Sequence, residues 1–168
     1  MSIQLYAQPY DISARGFYFE SYEEYRAKAE KAVNDYGQNV EEFEIQFIQG
    51  KQIDCELASA IGINQANLKR FFECAEAWDD YEKVTVIIAV GECGYTFEED
   101  TRPDDFDLDI YECDSLKELA EQFVDEGLFG DIPERLQFYI DYEAVGRDLG
   151  MDYAETEIAG NHLIYRCA

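Results

Sequence analysis

The sequence predicts an α+β fold with two or three small subdomains: an N-terminal sheet plus helix, a helical acidic middle, and C-terminal helices with a terminal hairpin. Three observations predict it. Apolar residues alternate at period two near both ends of the chain and recur at helical spacing between them. Capping residues and glycines punctuate the helical stretches. Hydrophobic residues make up 47% of the 168, enough for a core and more than a disordered acidic tail carries. The expected domains are an N-terminal α+β domain over 1–62, an acidic central domain over 63–113 and a C-terminal α+β domain over 114–168.

The opening reads as two strands, 3–8 and 16–20. Ser21 starts a helix, and Glu24 three residues later fits a capping box. Tyr22, Tyr25, Ala29, Ala32, Val33 and Tyr36 form its apolar stripe, with Gly37 as the stop. Phe43, Ile45 and Phe47 alternate with Glu42, Glu44 and Gln46, as in a half-buried strand. Asp54 is expected to cap a short helix ending near Gly62. Asn64 is expected to cap a longer one, reaching about Asp80 on Leu68, Phe71, Phe72, Ala75 and Trp78.

Residues 84–90 read two ways: their β-branched composition favours a strand and the preceding context a helix. Phe106, Leu108 and Ile110 alternate with Asp105, Asp107 and Asp109, which predicts a strand with one acidic face. Ser115 with Glu118 repeats the capping box, and the helix runs to Glu126 before Gly127. Pro133 suits the first turn of another helix, extending to about Leu149. Two strands close the chain, 153–158 and 163–166, with Gly160-Asn161 as the turn between them.

Charge is the unusual property. The chain carries 38 Asp+Glu against 13 Lys+Arg, a net of -25. Residues 1–70 hold 11 acids and 7 bases, whereas residues 71–126 hold 19 acids and 3 bases. Self-repulsion of this size destabilises a compact state, so a positive partner is the natural use for it. The same charge repels nucleic acid and anionic lipid, and direct binding of either is not expected. No apolar run approaches the roughly 18 residues of a membrane span. The N-terminus lacks the order of a signal peptide, so the expected location is cytoplasmic.

The densest tract comprises Asp79, Asp80, Glu82, Glu98, Glu99, Asp100, Asp104, Asp105, Asp107, Asp109, Glu112 and Asp114, and Glu118, Glu121, Asp125 and Glu126 extend it along a helix. These sixteen carboxylates are the expected partner-binding, phosphate-mimicking residues. Carboxylates three or four apart on a helix lie about 5–6 Å from one another. Duplex DNA carries about one charge per 1.7 Å of axis, so -25 matches roughly 42 Å of duplex, or about 12 base pairs. The alternative is an acidic salt-adapted protein or an interaction module with another basic target. Five cysteines and thirteen tyrosines are not the expected companions of salt adaptation.

Catalytic and metal readings find little support. An EF-hand loop started at Asp105 would place Ile110 at its sixth position and Leu116 at its twelfth, where glycine and glutamate are needed. There is no C-x-x-C and only one histidine, His162, so neither zinc nor another metal is expected. Reduced, structural thiols are the expectation for the five cysteines. No nucleophile elbow, phosphate-binding P-loop or H-E-x-x-H is present. Neither an enzyme nor a cofactor is expected.

The C-terminal third carries a signature. Ile132-Pro133-Glu134-Arg135-Leu136-Gln137 is followed by Tyr139-Ile140-Asp141-Tyr142-Glu143-Ala144 and by Gly146-Arg147-Asp148-Leu149. These blocks resemble the ArdA antirestriction family. Ser115 to Ala120, Phe123-Val124, the closing Gly160-Asn161-His162 and the opening Ile3 to Tyr6 with Gly16-Phe17-Tyr18 are similar to the same family. The resemblance implies an elongated α+β protein that forms a homodimer and imitates bent B-form DNA. It implies occupation of the DNA-binding groove of type I restriction-modification enzymes, carriage on mobile genetic elements, and a helix at 84–90.

Overall fold

Alternation at the two ends of the chain becomes two separate antiparallel sheets. The computed structural model describes residues 1–168 and divides into two units, Met1–Phe106 and Asp107–Ala168. As expected, the fold is α+β, with seven α-helices and two three-stranded sheets.

In the first unit, β1 (Gln4–Pro9) lies between β2 (Phe17–Phe19) and β3 (Phe43–Gln49). Leu5 pairs with Phe19 and Phe47, and Ala7 with Phe17 and Ile45, so these apolar side chains share one face. Leu5, Ala7 and Phe19 are wholly buried there. Helix α1 (Tyr22–Ala29) begins as predicted, with Ser21 Oγ accepting from Glu24 N at 3.1 Å. It stops at Ala29 rather than Gly37. Beyond it, Asn34 Oδ1 accepts from Tyr36 N and Gln38 N at 2.9 and 3.0 Å and builds a turn where the stripe promised helix.

Helix α2 (Gln52–Ile61) starts at Lys51, not at Asp54, and ends on left-handed Gly62. Asn64 does not cap α3 (Leu68–Ala77): its Oδ1 accepts from Ala66 N and Asn67 N, closing a turn ahead of the helix. Trp78 is extended and ends α3 short of Asp80. Asp79 then opens α4 (Asp80–Gly91) with a reciprocal capping box: Glu82 N donates to Asp79 Oδ1 at 2.8 Å, and Asp79 N donates to Glu82 Oε2 at 2.9 Å. Residues 84–90 are therefore helical. Val86, Ile87, Ile88 and Ala89 are buried, and a helix apolar most of the way round suits an interior.

Asp54 has a different task from the one expected. It sits in the first turn of α2, and its Oδ1 accepts from Lys83 Nζ of α4 at 2.7 Å. Both side chains are buried, at 6% and 4% exposure. Removing one partner from such a pair strands the other charge out of water.

In the second unit, β6 (Asn161–Cys167) is flanked by β4 (Leu108–Glu112) and β5 (Ala154–Ile158). The hairpin turns on Ala159 and Gly160, at φ 51° and 81°. Positive φ at both central residues suits the twist of a two-residue hairpin. Asn161 already pairs with Ile158, so the turn falls one residue earlier than expected.

Helix α5 (Leu116–Asp125) has the predicted Ser115 cap, and Gly127 follows its end at φ 76°. The helix expected from Pro133 to Leu149 is two: α6 (Glu134–Gln137) and α7 (Tyr142–Leu149). Asp141 divides them, its Oδ1 accepting from Ala144 N at 3.1 Å as the cap of α7. Cys113, Leu119, Phe123 and Ile164 form the core, with Tyr111, Leu116, Leu149 and Tyr153 packed against it. Gly146 lets α7 approach α5 closely: a Cβ there would lie 3.0 Å from the Leu116 carbonyl carbon and the Lys117 nitrogen.

Two substitutions test this account. Lys83→Met should lower unfolding free energy by about 3–5 kcal/mol, and adding Asp54→Leu should restore most of it. Gly146→Val should cost about 1–3 kcal/mol through overpacking against α5. Urea denaturation followed by far-ultraviolet circular dichroism measures both.

Candidate partner-binding surface

The acids divide between both units. Residues 1–106 hold 22 acids and 9 bases, and residues 107–168 hold 16 and 4. Of the sixteen carboxylates expected to meet a partner, thirteen are exposed; Glu82, Asp109 and Glu121 are half-buried and none is buried.

Within the first unit they form two groups. Asp79, Asp80 and Glu82 lie at the start of α4, where the positive end of the helix dipole favours anions and the capping box fixes two of them. Glu98, Glu99 and Asp100 precede Thr101, and Asp104 and Asp105 follow on a short 3₁₀ turn, Pro103–Asp105. Thr101 pins this segment from beneath. It is buried, its Oγ1 accepts from Glu98 N at 2.7 Å, and its carbonyl accepts from Arg70 Nη2 at 2.7 Å. Arg70 itself lies over the Trp78 ring, 5.6 Å from the centroid. Asp105 Oδ2 accepts from Arg102 N at 2.8 Å and fixes the turn. Sequence reading missed Thr101 and Arg70; an uncharged residue inside an acidic run was the only signal.

In the second unit, Glu118, Glu121 and Asp125 follow one another along α5 at spacings of three and four. Leu119, Ala120, Phe123 and Val124 fill the buried side of that helix. Glu118 Oε2 accepts from Asp114 N at 2.6 Å, and Glu126 Oε1 accepts from Gln122 Nε2 at 3.0 Å. The acidic strand face does not form as expected. Asp105 and Asp107 precede β4, and Asp109 shares a face with Tyr111, which packs on Phe123. Asp109 Oδ2 accepts from Arg166 Nε at 2.9 Å, a pairing dictated by the register of β4 with β6. Glu112 is exposed at the end of that strand.

His162 is engaged, and Cys74 and Cys113 are buried. His162 Nδ1 lies 2.6 Å from the Cys113 carbonyl and Nε2 lies 3.6 Å from Glu155. Burial pushes the Cys74 thiol up to about 11, and burial with the nearby Glu118 and Asp114 raises Cys113. Cys55, Cys74 and Cys113 are free thiols. A cleft of about 620 Å³ has the Asp54–Lys83 pair among its lining, with Lys69 3.9 Å from Glu73. No group of three or more His, Cys, Asp or Glu side chains is placed to hold a metal ion.

The family model for antirestriction protein (ArdA) matches residues 23–161. The chain belongs to the ArdA family. Comparison with curated proteins gives no match. ArdA membership supports an antirestriction role. The ArdA signature of the C-terminal third reads as structure: Asp141 caps α7, Gly146 permits the crossing with α5, and Leu149 packs on the core. Tyr139, Glu143, Arg147 and Asp148 are exposed, while Ile140 and Tyr142 are half-buried. No helix of this ArdA chain is long and apolar enough to cross a membrane.

Proposed function

We propose that this chain is a non-catalytic antirestriction protein that mimics B-form DNA and occupies the DNA-binding groove of type I restriction-modification enzymes. The reading rests on one observation above all: thirteen of the sixteen carboxylates are exposed, in groups within each unit, and several of the set are held in place by helix caps and turns. A groove that sheds counterions on binding duplex DNA sheds them for a pre-ordered polyanion as well. Carboxylates already fixed lose less entropy on docking. The decoy offers no base edge, so it acts regardless of the target's recognition sequence. Its site of action is the cytoplasm, and carriage on a mobile element would let it protect the DNA that brings it.

The protein acts as a homodimer in this reading. Leu128, Phe129, Leu136, Phe138 and Tyr139 are each at least half exposed within a single stretch of the second unit. Apolar surface gathered this way favours a protein partner.

Competition is the decisive experiment. Excess protein should displace labelled duplex from a purified type I enzyme, and affinity should fall about 10³-fold or more between roughly 50 and 200 mM salt if six or more phosphate sites are filled. A ternary complex that still cleaves would refute the groove reading. Sedimentation equilibrium should give a dimer, and Phe138→Ser with Tyr139→Ser should shift it towards monomer.

A further inference from the structure

Five of the candidate partner-binding carboxylates stand in one short segment: Glu98, Glu99, Asp100, Asp104 and Asp105. Like charges so close repel one another, and a free segment of this kind extends. Here it is tied down at three levels. The rings of Tyr95 and Phe106 meet at 5.0 Å and bring its two ends together. Within it, Glu98 N donates to Thr101 Oγ1 at 2.7 Å, and Thr101 N donates back to the Glu98 carbonyl at 3.2 Å. Beneath it, Arg70 Nη2 donates to the Thr101 carbonyl at 2.7 Å.

The placement of Arg70 does little for its own helix. It lies in the first turn of α3, at the positive end of the helix dipole, where a cation is disfavoured. Its Nε is buried and finds no acceptor in the chain. An unmet buried donor is a cost that packing for stability alone avoids. Leu68 and Phe71 on either side are wholly buried, so the backbone that carries Arg70 is fixed. The guanidinium lies over Trp78, and from there it reaches the Thr101 carbonyl.

We propose that Arg70 is a positioning residue for the partner-binding surface: it holds the carboxylates of 98–105 in the arrangement that a basic groove grips, so that a cation strengthens the hold on a cationic target. The proposal rests on the groove reading above and deepens it. Charge counting alone predicts the opposite sign. Deleting any cation makes the net of -25 more negative and should tighten binding to a basic surface. Lys69 provides the comparison. It is the neighbouring exposed cation, and its ion pair is with Glu73 of its own helix, at 3.9 Å.

The test sets Arg70→Met against Lys69→Met, two variants of equal charge, in competition with labelled duplex for a purified type I enzyme across a salt series. Lys69→Met should bind as tightly as the unmodified chain or more tightly. Arg70→Met should bind about 10-fold more weakly at about 50 mM salt, with a shallower slope of log K against log salt, because fewer carboxylates meet the groove. Amide hydrogen exchange reads the positioning without the enzyme. The Glu98 amide should exchange about 10-fold faster in Arg70→Met, while the amides of Val86 to Ala89 in α4 keep their protection. Thr101→Val should reproduce both effects with no change of charge. Thr101→Ser keeps the hydroxyl, loses a buried methyl and should reproduce neither. Equal binding by Arg70→Met and Lys69→Met overturns the positioning role and leaves the groove reading intact. Unchanged exchange at Glu98 overturns it too, as does protection lost equally in α4, which would make Arg70 a general support of the fold. Failure of the unmodified chain to compete with duplex overturns the groove reading itself.

Discussion

Lys83 and Asp54 meet inside the first unit, 2.7 Å apart and almost wholly out of water. They join α2 to α4, the two helices that bring the longest apolar run of the chain into its core. An ion pair so placed is weak as a source of net stability and strong as a constraint, since neither charge tolerates the loss of the other. In a chain with only 13 cations, one is withdrawn from the surface and neutralises an interior acid. The surface acids are left without it.

Those surface acids do more than repel. Asp79 and Glu82 close the start of α4, Asp105 fixes the turn after Arg102, and Glu118 reaches back to the backbone before α5. Each satisfies a donor that a helix end or turn would otherwise leave open. Part of the cost of self-repulsion is thus offset locally, by carboxylates that stabilise the elements carrying them. The same bonds limit where those carboxylates can point, which matters for any partner that reads their spacing.

Much of the fold was legible because period and caps are local signals. Phe43, Ile45 and Phe47 alternate and form a strand; Ser21 and Ser115 accept from the glutamate amide three residues on, and helices begin. Where reading failed, short polar side chains overrode an apolar stripe. Asn34 builds a turn after α1 and is held by Asp11, 23 residues away, a partner no local pattern reveals. Asp141 splits a continuous-looking helix, and 84–90 continues the helix that the Asp79–Glu82 capping box opens, whatever its β-branched content. The acidic surface was legible in composition. Its supports, Thr101 and Arg70, were not, because a buried threonine and a half-buried arginine leave no mark on a charge profile.

The strand order of the second sheet gives its charge one more role. β4 and β5 flank β6 as the outermost strands, and they carry Asp109 and Glu112, and Glu155 and Glu157. An unpaired strand margin is a template for runaway stacking of chains. Here a margin from another molecule would bring carboxylate against carboxylate. The chain's excess of surface acid therefore also guards it against polymerising into fibres.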